Sequence, residues 1–316
     1  MAIFCWISLS LTFFFLVSGH EIQDSSQFIQ AILLDDVVIN GRHHQIEDIV
    51  IRQHNGGLFV QRILKLTDFG PFAVASMVLE MPSEKQSGTE LDTSLLSLNH
   101  SKVLVPYIQA MIAMPFAIGA IELEKNGKIW NILEIGLGTG ILNSFLHGAF
   151  SSVNIIAIEL EQKMYEIAKK YFGLIEDKHQ KVIVEDGLQY LQKTASRRQF
   201  KFNVIFIDAC YGTIVGKVIC PVEAFALKKN LKIIKNALTE NGIVVLSILA
   251  FDNDEVRKIQ NNYMNVFDKC FRITDSVNLV NHVIACGKYR RNKTSFVRKM
   301  KEIYKKFEFD SEPNIE

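Results

Sequence analysis

A run of glycines in the middle of the chain follows an acidic residue, with Glu134 preceding Gly136, Gly138 and Gly140. A short apolar run precedes these glycines, and a run with helical spacing follows them, so they occupy a strand-to-helix turn. Glycine permits positive φ and lets a ligand approach the backbone, and the next helix offers free N–H groups at its N-terminus. The spacing Gly-x-Gly-x-Gly differs from the dinucleotide pattern Gly-x-Gly-x-x-Gly. It predicts a ligand-binding loop, with a merely tight turn as the alternative.

Acidic residues also end the next three apolar runs. Glu159 can accept two hydrogen bonds from a ribose diol, and Glu161 is a rival for that role. Asp186, just before Gly187, can accept a bond from an adenine amino group or cap the following helix. Asp208 ends the fourth run. The carboxyl ends of parallel strands share one sheet edge, where ligands bind, so we expect these side chains around one site.

The elements that position these residues alternate between strand and helix from Trp130 onward. The alternation predicts an α/β fold with a mostly parallel sheet and helices on both faces. The last two runs predict an antiparallel hairpin at one edge. The result is a Rossmann-like sheet whose seven strands are Asn131–Ile135, Val153–Glu159, Lys181–Val184, Phe202–Asp208, Gly242–Leu249, Cys270–Thr274 and Val280–Cys286.

Four β-rich runs separated by Gly and Asn turns lie between residues 27 and 79. They predict a β-rich unit over 20–81, followed by a polar linker over 82–99. A second, α/β domain then covers 100–288 and opens on a helix over Val103–Ile118. A basic helical tail follows over 289–316.

The first 19 residues are apolar, carry no charge before His20 and end in small residues, as a secretory signal peptide does. An uncleaved anchor or a misread start is the alternative. The signal places the protein in the secretory pathway or outside the cell; a misread start would leave it cytoplasmic.

Four cysteines lie outside this segment, with no Cys-x-x-Cys and no zinc-type spacing, so we expect no metal site. We predict that Cys210 and Cys220 are buried loop thiols. Cys270 and Cys286 fall opposite each other across the predicted last hairpin. They form either a disulfide or two core thiols.

The composition excludes several classes of protein. The chain has 316 residues, 48% hydrophobic, and a net charge of +1, which excludes wholesale disorder and argues against nucleic-acid binding through bulk charge. The tail is locally basic, with nine Lys or Arg and one Glu over 288–306, and its apolar side chains share one helical face. It is either a solvated helix lying on the domain or a surface for a membrane or an acidic partner.

The region 130–288 resembles the spermidine-synthase-like branch of class I S-adenosylmethionine-dependent methyltransferases. Within that branch it is most similar to the C-terminal domain of the elongation factor 1A lysine and N-terminal methyltransferases. The resemblance rests on the glycine loop, the strand ends at Glu159 and Asp208, Asp186-Gly187-Leu188-Gln189-Tyr190, and Cys220-Pro221 with Phe225. The β-rich unit is similar to the N-terminal domain of the same branch, which often mediates dimers.

The resemblance implies S-adenosylmethionine as cofactor and a methyl transfer to an amine of a protein or small molecule. The cofactor-binding residues would be Glu134, Gly136, Gly138, Gly140, Glu159, Asp186, Gly187 and Asp208, and the catalytic residues Asp208 and Tyr211.

Aminopropyltransferases of the same branch carry an Asp-x-x-Asp pair, but here Tyr211 stands three residues after Asp208, and Thr139 replaces an acid in the glycine loop. Aminopropyl transfer is therefore the second interpretation. A secreted, non-catalytic protein on a retired transferase fold is the third, because the cofactor is made in the cytosol.

Overall fold

A computed structural model gives the fold of the chain. It describes residues 27–67, 72–82, 91–123, 127–196, 200–212, 216–275, 280–288, 291–310 and 314–315. The predicted signal peptide over 1–19 lies outside the described residues.

The β-rich unit is an antiparallel sheet of five strands in sequential order. Its members are β1 (Gln27–Ile39), β2 (Arg42–Arg52), β3 (Leu58–Leu66), β4 (Phe72–Glu80) and β5 (Ser97–Val103). Asn40 and Gly41 both adopt positive φ between β1 and β2, the geometry of a tight hairpin turn. The sheet extends beyond the predicted boundary at residue 81. Its fifth strand, β5, begins inside the predicted linker over 82–99, continues past its end and pairs with β4.

The second sheet contains the predicted seven strands. They are β6 (Trp130–Ile135), β7 (Val153–Glu159), β8 (Gln180–Val184), β9 (Phe202–Ile207), β11 (Leu238–Ala250), β12 (Lys269–Thr274) and β13 (Asn281–Gly287). Their order is β12-β13-β11-β9-β6-β7-β8, and β13 is antiparallel to both neighbours. The predicted fold class is therefore confirmed. Two short strands, β10 (Val218–Cys220) and β14 (Asn314–Ile315), add to β11 and β12.

Seven helices accompany the strands in the described part of the chain. They are α1 (Pro106–Ile118), α2 (Ile141–Ala149), α3 (Gln162–Tyr171), α4 (Gly187–Ser196), α5 (Lys228–Ala237), α6 (Asn253–Met264) and α7 (Lys293–Phe307). The chain between β10 and α5 is not continuously helical. A short 3-10 turn covers Glu223–Phe225, and α5 begins only after Leu227, whose backbone is extended.

Alternating side chains of the central strands face opposite layers, as the pleat requires. Ile132 of β6 packs with the apolar residues of α1 and α2, whereas Leu133 packs with those of α4, α5 and α6. Helix α1 is almost entirely buried and belongs to the same apolar cluster as Ile46 and Leu64 of the first sheet. This shared core fixes the position of α1 relative to the first sheet.

The basic tail is part of the core. Phe296 and Met300 of α7 are fully buried, and the Phe296 ring stacks on Phe271 of β12 at 4.1 Å between centroids. Phe307 packs edge-on against Phe116 of α1 and Phe145 of α2. Helix α7 therefore lies on the domain through its apolar side chains. Among the described helices, none combines the length and apolarity that crossing a membrane would need.

The first turn of α7 gives a test of its contribution to stability. Asn292 caps this helix, because its Oδ1 accepts the backbone N–H of Ser295 at 2.9 Å. We expect Asn292→Ala to lower the free energy of unfolding by about 1 kcal/mol. Asn292→Asp preserves the cap and is the control. Urea unfolding measures both, and equal midpoints would show that the cap contributes nothing.

The four described cysteines form two disulfides. Of the two alternatives for Cys270 and Cys286, the structure contains the disulfide. The two residues are directly opposite in the β12–β13 register, as predicted. The prediction of two loop thiols at Cys210 and Cys220 is wrong, because these residues are also bonded to each other. After Asp208 the chain turns back and forms β10, which brings Cys220 next to Cys210. The spacing of the two cysteines in the sequence did not indicate this return.

Candidate active site

Strand register brings the predicted residues to one edge of the sheet. Ile135, the last residue of β6, pairs with Ile158 on one side and Ile207 on the other. Glu159 pairs with Val184 of β8. The carboxyl ends of these parallel strands therefore lie side by side, and the candidate residues at or after those ends share one edge of the sheet.

The glycines of the loop serve different purposes. Gly136 has φ +90°, and a Cβ there would lie 2.4 Å from the carbonyl oxygen of Asp208, so only glycine fits. Gly138 has φ +54°, and among the described residues no atom beyond its chain neighbours lies within 4 Å of its Cβ position, which leaves room above the backbone. Gly140 has φ +80° and directly precedes α2. The loop thus presents open backbone and a helix N-terminus on the same side.

Glu159 supports the loop from the neighbouring strand. Its Oε2 accepts the N–H groups of Leu137 at 3.0 Å and Gly138 at 3.2 Å, and its Oε1 accepts the N–H of Glu161. Burial raises the pKa of this carboxyl, and hydrogen bonds from the backbone amides of Leu137, Gly138, Leu160 and Glu161 oppose that effect. Glu161 is turned away, since its Oε1 accepts a bond from Asn40. Between the two rivals, Glu159 lies in the site.

Glu134 lies deepest in the site. Its side chain is only 2% exposed, and its Oε2 has no hydrogen-bond partner among the described residues. Burial is the main reason why its pKa is raised well above the ordinary range, with further contributions from the charges of Asp208 and Glu159. A buried polar atom without a partner is uncommon in folded proteins and calls for one. A cationic ligand group would supply it.

Asp208 contacts a residue that the sequence did not single out. The hydroxyl of Tyr107, in the first turn of α1, donates to Asp208 Oδ2 at 3.1 Å. Burial raises the pKa of Asp208, and hydrogen bonds from Ser247 and Tyr107 lower it in part. Tyr107 is one of two polar side chains, with Gln109, in the apolar sequence of α1, and that exception was the available signal.

Asp186 and Gly187 both have structural partners. Asp186 Oδ1 accepts the N–H of Gln189 at 2.8 Å, so the capping role at the start of α4 is present. A Cβ at Gly187 would lie 2.4 Å from the side chain of Ile135, which explains this glycine by close packing. The nucleoside-binding role of Asp186 stays a prediction beside its capping role.

Tyr211 belongs to the loop that follows Asp208. Its hydroxyl accepts the N–H of Glu223 at 3.0 Å, and its own N–H donates to the carbonyl of Ile219. Asp208 is joined to Tyr107, and Tyr211 instead holds the two arms of its own loop together. Its catalytic role stays a prediction.

The sulfur atoms of Cys210 and Cys220 lie close to the Asp208 carboxylate, within 4.8 Å. Such a group would suit a soft divalent metal if the sulfurs were thiolates. They are joined in a disulfide, so neither sulfur is a thiolate ligand in this state.

The comparisons with known proteins agree with this geometry. Residues 127–278 match the family profile of the spermine/spermidine synthase domain. The matched region covers just under half of the chain and includes all the candidate site residues except Tyr107.

Two curated relatives are the eEF1A lysine and N-terminal methyltransferase homolog of Drosophila melanogaster and the eEF1A lysine and N-terminal methyltransferase of Xenopus laevis. The first is 28% identical over 175 residues, which cover 55% of this chain and 25% of that protein. The second is 26% identical over 197 residues, which cover 62% and 27%. The chain thus spans about a quarter of the length of these relatives.

Solved structures show the same fold. Human methyltransferase-like protein 13, crystallised with SAH, superposes with a TM-score of 0.56 at 23% identity, covering 65% of this chain and 94% of that one. Spermidine synthase from Thermotoga maritima superposes with a TM-score of 0.50 at 14% identity, covering 92% and 97%.

Proposed function

We propose that this protein is an S-adenosylmethionine-dependent methyltransferase that acts on an amine. The carrying observation is the group of acids around the glycine loop. Glu134, Glu159 and Asp208 all have raised pKa values, and the charges of Asp208 and Glu159 contribute to the shift at Glu134. A sulfonium and an ammonium group on one nucleoside would relieve that repulsion, because opposite charges favour the ionised carboxylates.

The residues would divide the work as follows. The loop backbone and Glu159 would hold the nucleoside, and Glu134 would face its positive charge. When bound, adenosylmethionine supplies an activated methyl group, so the chain's main task is to orient the acceptor. Asp208 Oδ2 would take the proton from the attacking amine, and the Tyr107 hydroxyl, which already donates to that oxygen, would hold the carboxylate in place.

A protein is the acceptor that the relatives favour. Their names identify eEF1A as the protein that they methylate at lysine and at its N-terminus. Because this chain covers about a quarter of those proteins, we propose only the class of acceptor, an amine on a polypeptide.

Aminopropyl transfer is the second candidate, supported by the family profile. It would need a second acid for the cationic amine, and the position is occupied by Tyr211. Isothermal calorimetry with four ligands separates the candidates. Tighter binding of adenosylmethionine and adenosylhomocysteine supports methyl transfer, and preference for decarboxylated adenosylmethionine and methylthioadenosine supports aminopropyl transfer. Binding of none would indicate a retired fold.

A matched pair of variants tests the nucleoside site. We expect Glu159→Gln to weaken adenosylhomocysteine binding about tenfold or more, because hydrogen bonds to a charged group contribute about 1.5–3 kcal/mol. Glu161→Gln should leave binding unchanged, since that side chain contacts Asn40 instead. Calorimetry gives both dissociation constants. Equal losses in the two variants would contradict the assignment of Glu159.

We propose that the protein works in the secretory pathway or outside the cell. Two disulfides support this, because such bonds persist in oxidising compartments. When the full chain is expressed in cells that secrete proteins, we expect the protein in the culture medium. Its N-terminus should follow residue 19, and both disulfides should be intact. Retention of the uncleaved chain in the cytosol with free thiols would contradict the proposal.

Two further proposals concern partners of the protein and name only a class of partner. The solvent-facing side of α7 carries Lys301, Lys305 and Lys306, and its apolar side is packed in the core. Contact with an anionic membrane or acidic partner would therefore be electrostatic and sensitive to salt.

A homodimer through the first sheet also stays a proposal, and analytical ultracentrifugation tests it.

A further inference from the structure

The two disulfides sit in different surroundings. Cys286 is fully buried within β13, and its bridge to Cys270 ties together two strands that already form a ladder. Cys210 is exposed and lies two residues after Asp208. Its bridge to Cys220 closes the segment after the candidate catalytic acid, here called the Cys210 loop and consisting of residues 209–212 and 216–222.

The far arm of the Cys210 loop is anchored in the sheet. Cys220 is buried and pairs with Leu249 of β11. The disulfide and two main-chain hydrogen bonds link this anchor to the near arm: the Tyr211 N–H donates to the Ile219 carbonyl at 2.9 Å, and the Val222 N–H donates to the Ala209 carbonyl at 2.8 Å. The Tyr211 hydroxyl also accepts the N–H of Glu223, just after the loop. The disulfide is the only covalent member of this set.

The near arm touches the candidate catalytic acid. The Sγ of Cys210 lies 3.7 Å from Asp208 Oδ1, and Tyr107 occupies the other carboxylate oxygen. The contacts that would hold the nucleoside come from the glycine loop and Glu159, on other strands. The Cys210 loop is therefore placed to shape the acceptor side of the site and to leave the cofactor side unaffected.

We propose that the Cys210–Cys220 disulfide is a positioning element for the acceptor, and that its reduction impairs methyl transfer without impairing cofactor binding. This inference rests on the proposed methyltransferase function. Cutting the bridge leaves the near arm held by hydrogen bonds alone, so the loop beside Asp208 loses its covalent constraint. Displacement of about 1 Å at a reacting centre can cost on the order of 10²-fold in rate.

The redox step uses an external dithiol such as dithiothreitol. One of its thiolates attacks the exposed Cys210 sulfur, the Sγ–Sγ bond breaks, and Cys220 leaves as a thiolate that takes a proton. The second dithiol sulfur then displaces Cys210 and closes a cyclic disulfide. The protein gains two electrons and two protons, and the dithiol is oxidised by the same amount. The exposure of Cys210 makes this bridge the more accessible one.

The experiment compares two double variants of the full mature chain. We expect Cys210→Ala/Cys220→Ala to raise the acceptor KM and lower kcat/KM about tenfold or more. Its adenosylhomocysteine Kd should not change, and amide exchange should become faster in the Cys210 loop. Cys270→Ala/Cys286→Ala is the matched control and should leave the acceptor KM and that exchange unchanged. Dithiothreitol should reproduce the effect in the wild type and add nothing in the first variant.

Other results overturn the inference. Unchanged exchange of the Cys210 loop after reduction of the bridge would show that the disulfide does not position it. A parallel loss of adenosylhomocysteine binding would show that the bridge supports the whole site. If the first variant does not fold, dithiothreitol titration of the wild type gives the same two readouts. Failure of the intact protein to bind adenosylhomocysteine would instead contradict the proposed function, because exchange reports on the loop independently.

Discussion

Replacing Asp208 with asparagine should lower kcat by about 10²–10⁴-fold, the range expected when a general base is removed. The substitution preserves shape and still accepts a hydrogen bond from Tyr107, which lies 3.1 Å from Oδ2 in the wild type. Asparagine cannot take a proton from the acceptor amine. We therefore expect adenosylhomocysteine binding to persist while turnover is lost, as measured by calorimetry and by transfer of labelled methyl groups.

The pH dependence separates a base from a purely structural acid. Burial raises the pKa of Asp208 above its ordinary value of about 3.9, so the acid limb of the kcat/KM profile should lie above that value. Tyr107→Phe removes a hydrogen bond that stabilises the ionised form, which should move the limb to higher pH. Turnover in Asp208→Asn equal to that of the wild type would rule out the base, and an unmoved limb in Tyr107→Phe would rule out the positioning contact.

How much of this site the sequence could predict depends on the kind of information each residue carries. Glu159 and Asp208 were predictable because each ends an apolar strand, and parallel strands end at one edge. Gly136 was predictable because it opens the Gly-x-Gly-x-Gly turn that follows an apolar strand. The structure supplies the physical reason, since a positive φ beside the Asp208 carbonyl excludes a side chain there. These are local signals combined with one topological rule.

Contacts between distant segments carried no such signal. Tyr107 reaches Asp208 across 101 positions of sequence, and only the packing of α1 against the sheet brings them together. The Cys210–Cys220 bridge depends on a return of the chain that β10 makes by pairing with β11. By contrast, the opposition of Cys270 and Cys286 followed from a short predicted hairpin, which left only the choice between a disulfide and two thiols open.

The buried acid Glu134 should act in opposite directions on stability and on binding. In the free protein its carboxylate is buried and one oxygen has no partner, so its ionised form is unfavourable. We expect Glu134→Gln to raise the free energy of unfolding at neutral pH by about 1 kcal/mol, within the usual range for relieving a functional site. The same change should weaken adenosylmethionine binding about tenfold or more, because a charge-assisted contact is lost. Glu185→Gln, on a surface ion pair with Lys193, is the control.

The direction of the pH effect follows from linkage. A carboxyl whose pKa is higher in the folded state contributes stability that is fully present below its unfolded pKa and is lost as pH rises through the folded value. Glu134 has its pKa raised mainly by burial, so the stability advantage of the glutamine variant should grow across that interval. Urea unfolding at several pH values measures it, and a constant difference would contradict it.

The cofactor should reverse this unfavourable term, because its positive groups favour the ionised form of the same carboxyl. Binding of adenosylmethionine is then expected to release protons from the site. Adenosylhomocysteine lacks the sulfonium charge and should release fewer. Calorimetry in buffers of different ionisation enthalpy counts these protons directly. Equal proton release with the two ligands would mean that the sulfonium does not affect the ionisation of Glu134. A difference in release that disappears in Glu134→Gln would instead identify Glu134 as the group that destabilises the free protein and recognises the charged cofactor.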